Sequence, residues 1–172
     1  ESIIKSYNAY VDLMLVWLYI VNNNASLKCS NYLNIFIYHT SLLKILPATN
    51  IEILNENNVN TAFTRTCPVN SEIVIFRKEE WFKVFIHETF HNFALDFSDM
   101  DMTSSHNKIL SLFPVNSEVN LFESYTECWA RILNISFCSY QTLKNKNIDD
   151  FIVNVNNLMN IERIFYYFQV VK

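Results

Sequence analysis

The sequence contains no glycine and only three prolines, whereas asparagine occurs 23 times among its 172 residues. Glycine adopts positive φ most easily, and asparagine is the next most tolerant residue. We therefore expect asparagine to occupy the helix ends and turns that need this conformation. The shortage of residues with GC-rich codons indicates AT-rich coding, which bears on origin and not on function.

Basic charge is also scarce. Lysine and arginine total 13 against 17 acidic residues, which gives a net charge of -4, and the basic residues are scattered along the chain. Proteins that bind the phosphate backbone of nucleic acid usually carry a continuous stripe of basic residues. We therefore expect no nucleic-acid partner.

Long apolar runs and paired cysteine motifs are absent. The run VDLMLVWLYIV is too short for a bilayer and contains Asp12, so it predicts a buried helix and no membrane span. The cysteines form no CxxC pair, which favours reduced thiols in the cytoplasm. A disulfide pair and a secreted protein are the alternatives. The cysteines are Cys29, Cys67, Cys128 and Cys138.

What the sequence does contain predicts one packed domain of the α+β class. Hydrophobic residues make up 51% of the chain and aromatic residues 15%, enough for a sizeable core. Periodicity predicts a mostly helical protein with a small β-sheet or hairpin before the helix at 78–95, which we call the central helix. The predicted helices are 2–21, 78–95, 117–137 and 148–168, with short ones at SLLKILP and KILSLF; the strands are 33–40, NVNTAFTRT and 71–76.

The sequence also predicts how two helices begin and which face of the last helix is buried. Glu79 and Glu80 are expected in the first turn of the central helix, where the dipole favours acids. Asn116 or Ser117 is expected to cap the following helix. The apolar positions of the last helix predict core packing, and they are Phe151, Ile152, Val155, Leu158, Met159 and Phe165.

The central helix carries the motif HETFH, from His87 to His91. Two histidines four residues apart project from one helix face and can share a tetrahedral zinc ion. Glu88 beside them can act as general base on a water molecule at the metal. A chance HExxH in a chain of this composition has a probability of about 0.006. The alternative is a pair of buried histidines with hydrogen-bond partners.

A catalytic zinc needs a third protein ligand. Phe97 stands where the metzincin pattern requires histidine, which excludes that class. The candidates in the chain are Asp96, Asp99, Asp101, His106, Glu118, Glu123 and Glu127.

The segment ESYTECWAR has Glu123 and Glu127 four residues apart on a helix. With HETFH before it, this segment resembles the gluzincins, particularly lethal-factor-like and thermolysin-like peptidases. The resemblance implies that His87, His91 and Glu123 bind Zn²⁺, that Glu88 is the general base, and that Glu127 orients His87. Glu127 as the ligand stays open.

The resemblance further implies a zincin-like fold, with residues 1–172 forming one metallopeptidase-like catalytic domain. Its upper lobe would cover about 1–97 and its helical lower lobe about 98–172. Ala94 stands where many zincins have glycine, and Ala94 and Ala130 are expected on metal-facing stripes that let two helices approach closely. Tyr125, Tyr140 and Arg131 are candidates for a hydrogen-bond donor to the transition state.

These patterns predict a zinc-dependent peptidase acting on a peptide or protein, which would pair with a strand edge at NTAFT or SEIVIF. One alternative is an inactive zincin-like binding module whose structural zinc is closed by Asp99 or His106. The other is a metal-free helical interaction protein. The segments NVNTAFT, RKEEWFKVFIHETFHNF and ESYTE also resemble uncharacterised proteins of large DNA viruses. A viral origin would place the protein in the cytoplasm of a host cell. The patterns predict no oligomeric state.

Overall fold

The computed structural model describes residues 2–45, 48–49, 56–116 and 119–171. These residues form five helices of ten residues or more, one short helix and a three-stranded sheet, which confirms a mixed α+β fold. The elements are α1 (Ser2–Asn22), β1 (Tyr32–Thr40), α2 (Glu56–Val59), β2 (Ala62–Thr64), β3 (Asn70–Arg77), α3 (Trp81–Asn92), α4 (Thr103–Leu112), α5 (Leu121–Thr142) and α6 (Ile148–Val171).

The sheet has the order β1-β3-β2. Strand β3 runs antiparallel to β2, which confirms the predicted hairpin, although β2 is shorter than NVNTAFTRT. On its other side β3 pairs in parallel with β1. SEIVIF lies within this central strand, so the expectation that it could offer a free edge is wrong. NTAFT lies on the edge that β2 forms.

The core lies between the inner face of the sheet and α3. Ile73 and Ile75 of β3 are fully buried, as are Phe85 and Ile86 of α3, because both elements turn their apolar residues to the same layer. Helix α1 joins this cluster through Trp17, whose indole N–H donates to Thr89 Oγ1 at 2.8 Å. The HETFH motif thus lies on a helix that packs against the sheet on one side and against α1 on another.

Helix α5 packs against α3. Ala130 is fully buried there, as the close approach of the two helices requires. The same expectation is wrong for Ala94. Helix α3 ends at Asn92, and Ala94 lies beyond that end with φ 54°.

Positive φ occurs at six described residues, and none of them is asparagine, so the expected use of asparagine is wrong. Tertiary contacts hold several of these residues instead. Ser30 Oγ bonds the carbonyl of Asn92, and Cys67 forms a disulfide. The six are Ser30, His39, Cys67, Glu80, Ala94 and Phe97.

The helix starts also differ from expectation. Glu79 and Glu80 precede α3, because Glu80 has φ 58° and its carboxylate pairs with Lys44 and Lys83 at 3.1 and 3.5 Å. Residues 41–45 of SLLKILP form no helix, and its last two residues lie outside the described ones. Helix α5 begins after Asn120, so Asn116 does not cap it, and Ser117 lies outside the described residues.

Helix α6 is only partly a core element. Phe151, Val155, Leu158 and Met159 are partly buried, and α6 packs on α5. Ile152 and Phe165, however, are 49% and 52% exposed. The prediction of core packing is wrong for these two positions, because the helix covers its partner with one stripe and faces solvent with the rest.

Cys29 and Cys67 form a disulfide, so the expectation of reduced thiols is wrong for this pair; Cys128 and Cys138 are free. The parallel register explains the pairing. Tyr32 of β1 lies opposite Asn70 of β3, and each cysteine precedes its strand residue by three positions. Within the described part of the chain, no helix has the length and apolarity that crossing a membrane requires.

Candidate metal centre

Three side chains from two helices converge at one point. The Nε2 atoms of His87 and His91, one turn apart on α3, lie 3.1 Å from each other. Glu123 in the first turn of α5 brings Oε2 to 3.3 Å from His87 Nε2 and 3.4 Å from His91 Nε2. The three atoms therefore form a nearly equilateral triangle.

This triangle has the dimensions of a tetrahedral metal site. Bonds of 2.0 to 2.1 Å to zinc place neighbouring ligand atoms about 3.3 to 3.4 Å apart. His87, His91 and Glu123 could thus hold a metal ion, each through one atom. Asp99 and His106 do not belong to this cluster, and Glu118 lies outside the described residues.

His91 is oriented by an acid just beyond the end of its own helix. Asp96 Oδ2 accepts a hydrogen bond from His91 Nδ1 at 2.7 Å, and Asp96 is only 1% exposed. The other oxygen, Oδ1, accepts from the Ser98 backbone N–H and hydroxyl at 3.1 and 2.7 Å. Asp96 therefore fixes the tautomer that turns Nε2 toward the triangle.

The sequence includes Asp96 among the ligand candidates, but its orienting role was missed. The predicted helix continues to residue 95, and a helix of that length does not contain the turn that brings Asp96 back to His91. Ala94 makes that turn with its positive φ, and Leu95 N–H returns to the Phe90 carbonyl at 2.8 Å. The spacing of five residues from His91 was the available signal.

His87 is oriented by an acid from the other helix. Glu127 Oε2 accepts a hydrogen bond from His87 Nδ1 at 3.2 Å. Its second oxygen, Oε1, accepts from Lys83 Nζ at 2.8 Å and from Arg131 Nε at 2.7 Å. Glu127 thus lies behind His87, held by two cations.

Without metal, both histidines bind protons more tightly than usual. Burial lowers the pKa of His87, but hydrogen bonds to Glu123 and Glu127 outweigh it and raise this pKa to about 9. Burial also lowers the pKa of His91, and hydrogen bonds to Glu123 and Asp96 again turn the net shift upward. A metal ion must therefore displace a proton from His87 at neutral pH.

The two glutamates on α5 stay ionised. Hydrogen bonds from His87 and His91 lower the pKa of Glu123 to about 2. Burial raises the pKa of Glu127, but the hydrogen bond from His87 and the charge of Lys83 outweigh burial and lower it. Both carboxylates therefore keep their charge at neutral pH.

Glu88 lies beside the triangle and is largely buried. It lines a cleft of about 570 Å³ together with His87 and Glu123. Burial raises the pKa of Glu88, while the charges of His87 and His91 oppose the shift. The residues leading into β2, Asn60 and Thr61, also line the cleft.

The three donor candidates lie in different places. Arg131 lines the cleft, but its guanidinium bonds Glu127 and Glu162 and stacks on Tyr166 at 4.1 Å. Tyr125 packs on Phe97, with ring centroids 4.3 Å apart.

Tyr140 is 54% exposed near the end of α5. It lies about 25 Å along the helix from Glu123, at about 1.5 Å per residue. The structure therefore brings Arg131 to the cleft wall and leaves Tyr140 distant from it.

Comparison of the chain with protein-family models, with curated proteins and with solved structures gives no match. The likeness to the gluzincins therefore depends on HETFH, on ESYTE and on the geometry of the centre that they form.

Proposed function

We propose that the protein is a zinc-dependent peptidase of the gluzincin type with a zincin-like fold. The triangle formed by His87, His91 and Glu123 carries the proposal, because its sides of 3.1 to 3.4 Å match the spacing of zinc ligands. Two imidazoles and one carboxylate also form a ligand set used in catalytic zinc sites. The cluster offers three protein ligands, which leaves a fourth position for water or substrate.

A bound zinc ion would polarise the scissile carbonyl and make a coordinated water more acidic. Glu88 would accept the proton of the attacking water and deliver it to the leaving amine. Its position next to His87 on the cleft wall, with little solvent access, supports this role. Asp96 and Glu127 would keep the two imidazoles in the tautomer that presents Nε2.

The substrate class follows from the edge of the sheet. The chain entering β2 lines the cleft through Asn60, Thr61 and Ala62, and β2 has β3 on one side only among the described strands. An extended peptide could add to the free side of β2 by backbone hydrogen bonds. This arrangement supports a peptide or unfolded protein segment as substrate.

The inactive binding module has less support. A structural zinc site is closed by a fourth protein ligand, and neither Asp99 nor His106 joins the cluster. A cleft beside the cluster also serves a substrate better than a structural ion. The expected cytoplasmic setting stays a prediction, and the disulfide between Cys29 and Cys67 counts against it, because disulfides persist in oxidising compartments.

The test compares wild type, Glu88→Gln and Glu79→Gln, each loaded with zinc, on a peptide library read by mass spectrometry. Glu88→Gln should keep its zinc and lose hydrolysis by about 100-fold or more, as removal of a general base does. Glu79→Gln changes an exposed glutamate before α3 and should cleave like wild type. Equal cleavage by Glu88→Gln, or a zinc-loaded wild type without activity on any peptide, would overturn the proposal.

A further inference from the structure

The disulfide between Cys29 and Cys67 lies at the His91 end of the metal-binding helix. The backbone N–H of Cys67 donates to the carbonyl oxygen of His91 at 3.2 Å. Carbonyls in the last turn of a helix lack partners within the helix, so partners from other segments fix where that turn ends. One half of the disulfide thus contacts the backbone of a metal ligand.

The other half reaches the next residue of α3. Ser30 follows Cys29, and its hydroxyl donates to the carbonyl oxygen of Asn92 at 2.9 Å and also contacts the Asn92 side chain. The Ser30 backbone N–H donates to the Pro68 carbonyl at 2.6 Å. The two cysteine segments are therefore bonded to each other and to consecutive residues of the helix end.

Asn92 completes the attachment. It is fully buried, and its amide donates to Thr64 Oγ1 of β2 at 2.8 Å and to Ser71 Oγ of β3. The end of α3 is thus joined to the hairpin and to the disulfide-linked segments. A sub-ångström shift of this end moves His91 Nε2 relative to Glu123, because the imidazole is only a few bonds from the backbone.

We propose that the Cys29–Cys67 disulfide is a positioning clamp for His91, so that metal retention depends on the thiol–disulfide state of the protein. The inference depends on the proposed metal centre and adds its regulation. In the switching step a dithiol reductant gives two electrons and two protons to the cysteine sulfurs. The S–S bond breaks, two thiols form, and the reductant becomes a disulfide.

Reduction would leave the cysteine segments held by hydrogen bonds alone. The disulfide closes a loop across a sequence separation of 38, so its loss increases the freedom of the segments that contact His91 and Asn92. His87 would be affected less, because its orienting acid, Glu127, belongs to α5. The protein would hold its metal in oxidising surroundings and release it more readily in reducing ones.

The experiment uses the Cys128→Ser, Cys138→Ser variant, which removes the two exposed free thiols and leaves one redox couple. Zinc affinity is measured by chelator competition with and without a phosphine reductant, since thiol reductants bind zinc themselves. Reduction should weaken zinc binding by about tenfold, which is the lower end of the loss in metal affinity seen when a residue that orients a ligand is removed. Adding Cys29→Ser and Cys67→Ser should give the weaker affinity with no response to the phosphine.

Hydrogen exchange on the metal-free protein separates the clamp from the proposed function. Reduction should speed exchange at residues 91–95 and leave the amides in the middle of α5 unchanged. If zinc binds neither form, the proposed function fails, and the exchange pattern still decides the clamp. Unchanged exchange at 91–95, measurable zinc binding of equal affinity in both forms, or unfolding of the whole chain on reduction would each overturn the clamp.

Discussion

The two histidines of the candidate metal centre are oriented by different means. The acid that orients His91 is Asp96, which lies five residues later in the same segment and has almost no solvent access. The disulfide between Cys29 and Cys67 lies beside this segment. His87 has Glu127, 40 residues away on another helix, at a cleft and held by Lys83 and Arg131. His91 is thus fixed by the local fold, whereas the orientation of His87 depends on ion pairs that salt screens.

Removing each acid's charge tests this difference most strongly. Asp96→Asn and Glu127→Gln keep the shapes of the side chains, and both should weaken zinc binding within the range of about 10- to 100-fold. Each acid accepts hydrogen bonds on both oxygens, so each amide leaves one donor group facing another donor. The larger loss is expected for Asp96→Asn, because its side chain is 1% exposed against 29% for Glu127, so water cannot relieve the mismatch. Chelator competition measures both affinities. An equal or greater loss in Glu127→Gln would contradict the comparison.

Proton concentration should act mainly through His87. Its pKa in the metal-free protein is about 9, above the ordinary value of 6.5, so a metal ion would displace a proton from His87 below pH 9. Zinc affinity should rise by about tenfold per pH unit between pH 6.5 and 8.5, and more steeply where His91, whose pKa is also raised, still holds its proton. Calorimetry in buffers with different ionisation enthalpies counts the protons released. Release of no protons at pH 7 would contradict the predicted state of His87.

The same shift affects the stability of the metal-free protein. Because the folded pKa of His87 is raised, the pairing of its imidazolium with Glu123 and Glu127 contributes fully below pH 6.5. That contribution falls as the pH rises toward 9. Urea unfolding of the metal-free protein should therefore show that this pairing contributes less to the free energy of unfolding at pH 9 than at pH 6.5.

The smallest effects are expected from the cations behind Glu127. Lys83→Met should weaken zinc binding by only a few-fold, since partly exposed ion pairs contribute about 0.2 to 1 kcal/mol. The loss should shrink in high salt. Lys44→Met is the matched control, because Lys44 pairs with Glu80 and not with Glu127. An equal effect of both substitutions would show that Lys83 does not act through Glu127.

The helical part of this centre could be predicted from residue spacing. Four-residue intervals place His87 with His91, and Glu123 with Glu127, on single helix faces whatever the surrounding fold. The hairpin before α3 followed from strand patterns bounded by turn residues. The sequence therefore predicted which residues meet. It could not rank the candidate donors to the transition state, since the structure places Tyr140 far from the cleft.

What escaped prediction depends on contacts between distant segments. The parallel pairing of β1 with β3 has no sequence signature, and it alone brings Cys29 beside Cys67. The role of Asp96 depended on where α3 ends. Helix α6 has apolar residues on more than one side, and periodicity cannot tell which stripe meets α5.

The most direct test of the account is the metal content of the purified protein, measured by mass spectrometry on wild type, Glu123→Ala and Glu127→Ala after zinc is supplied and the excess removed. We expect about one zinc per chain in the wild type, none in Glu123→Ala, and a weakened but detectable site in Glu127→Ala. A wild type without zinc, or a Glu123→Ala variant that keeps it, would contradict the assignment of His87, His91 and Glu123 as the metal centre.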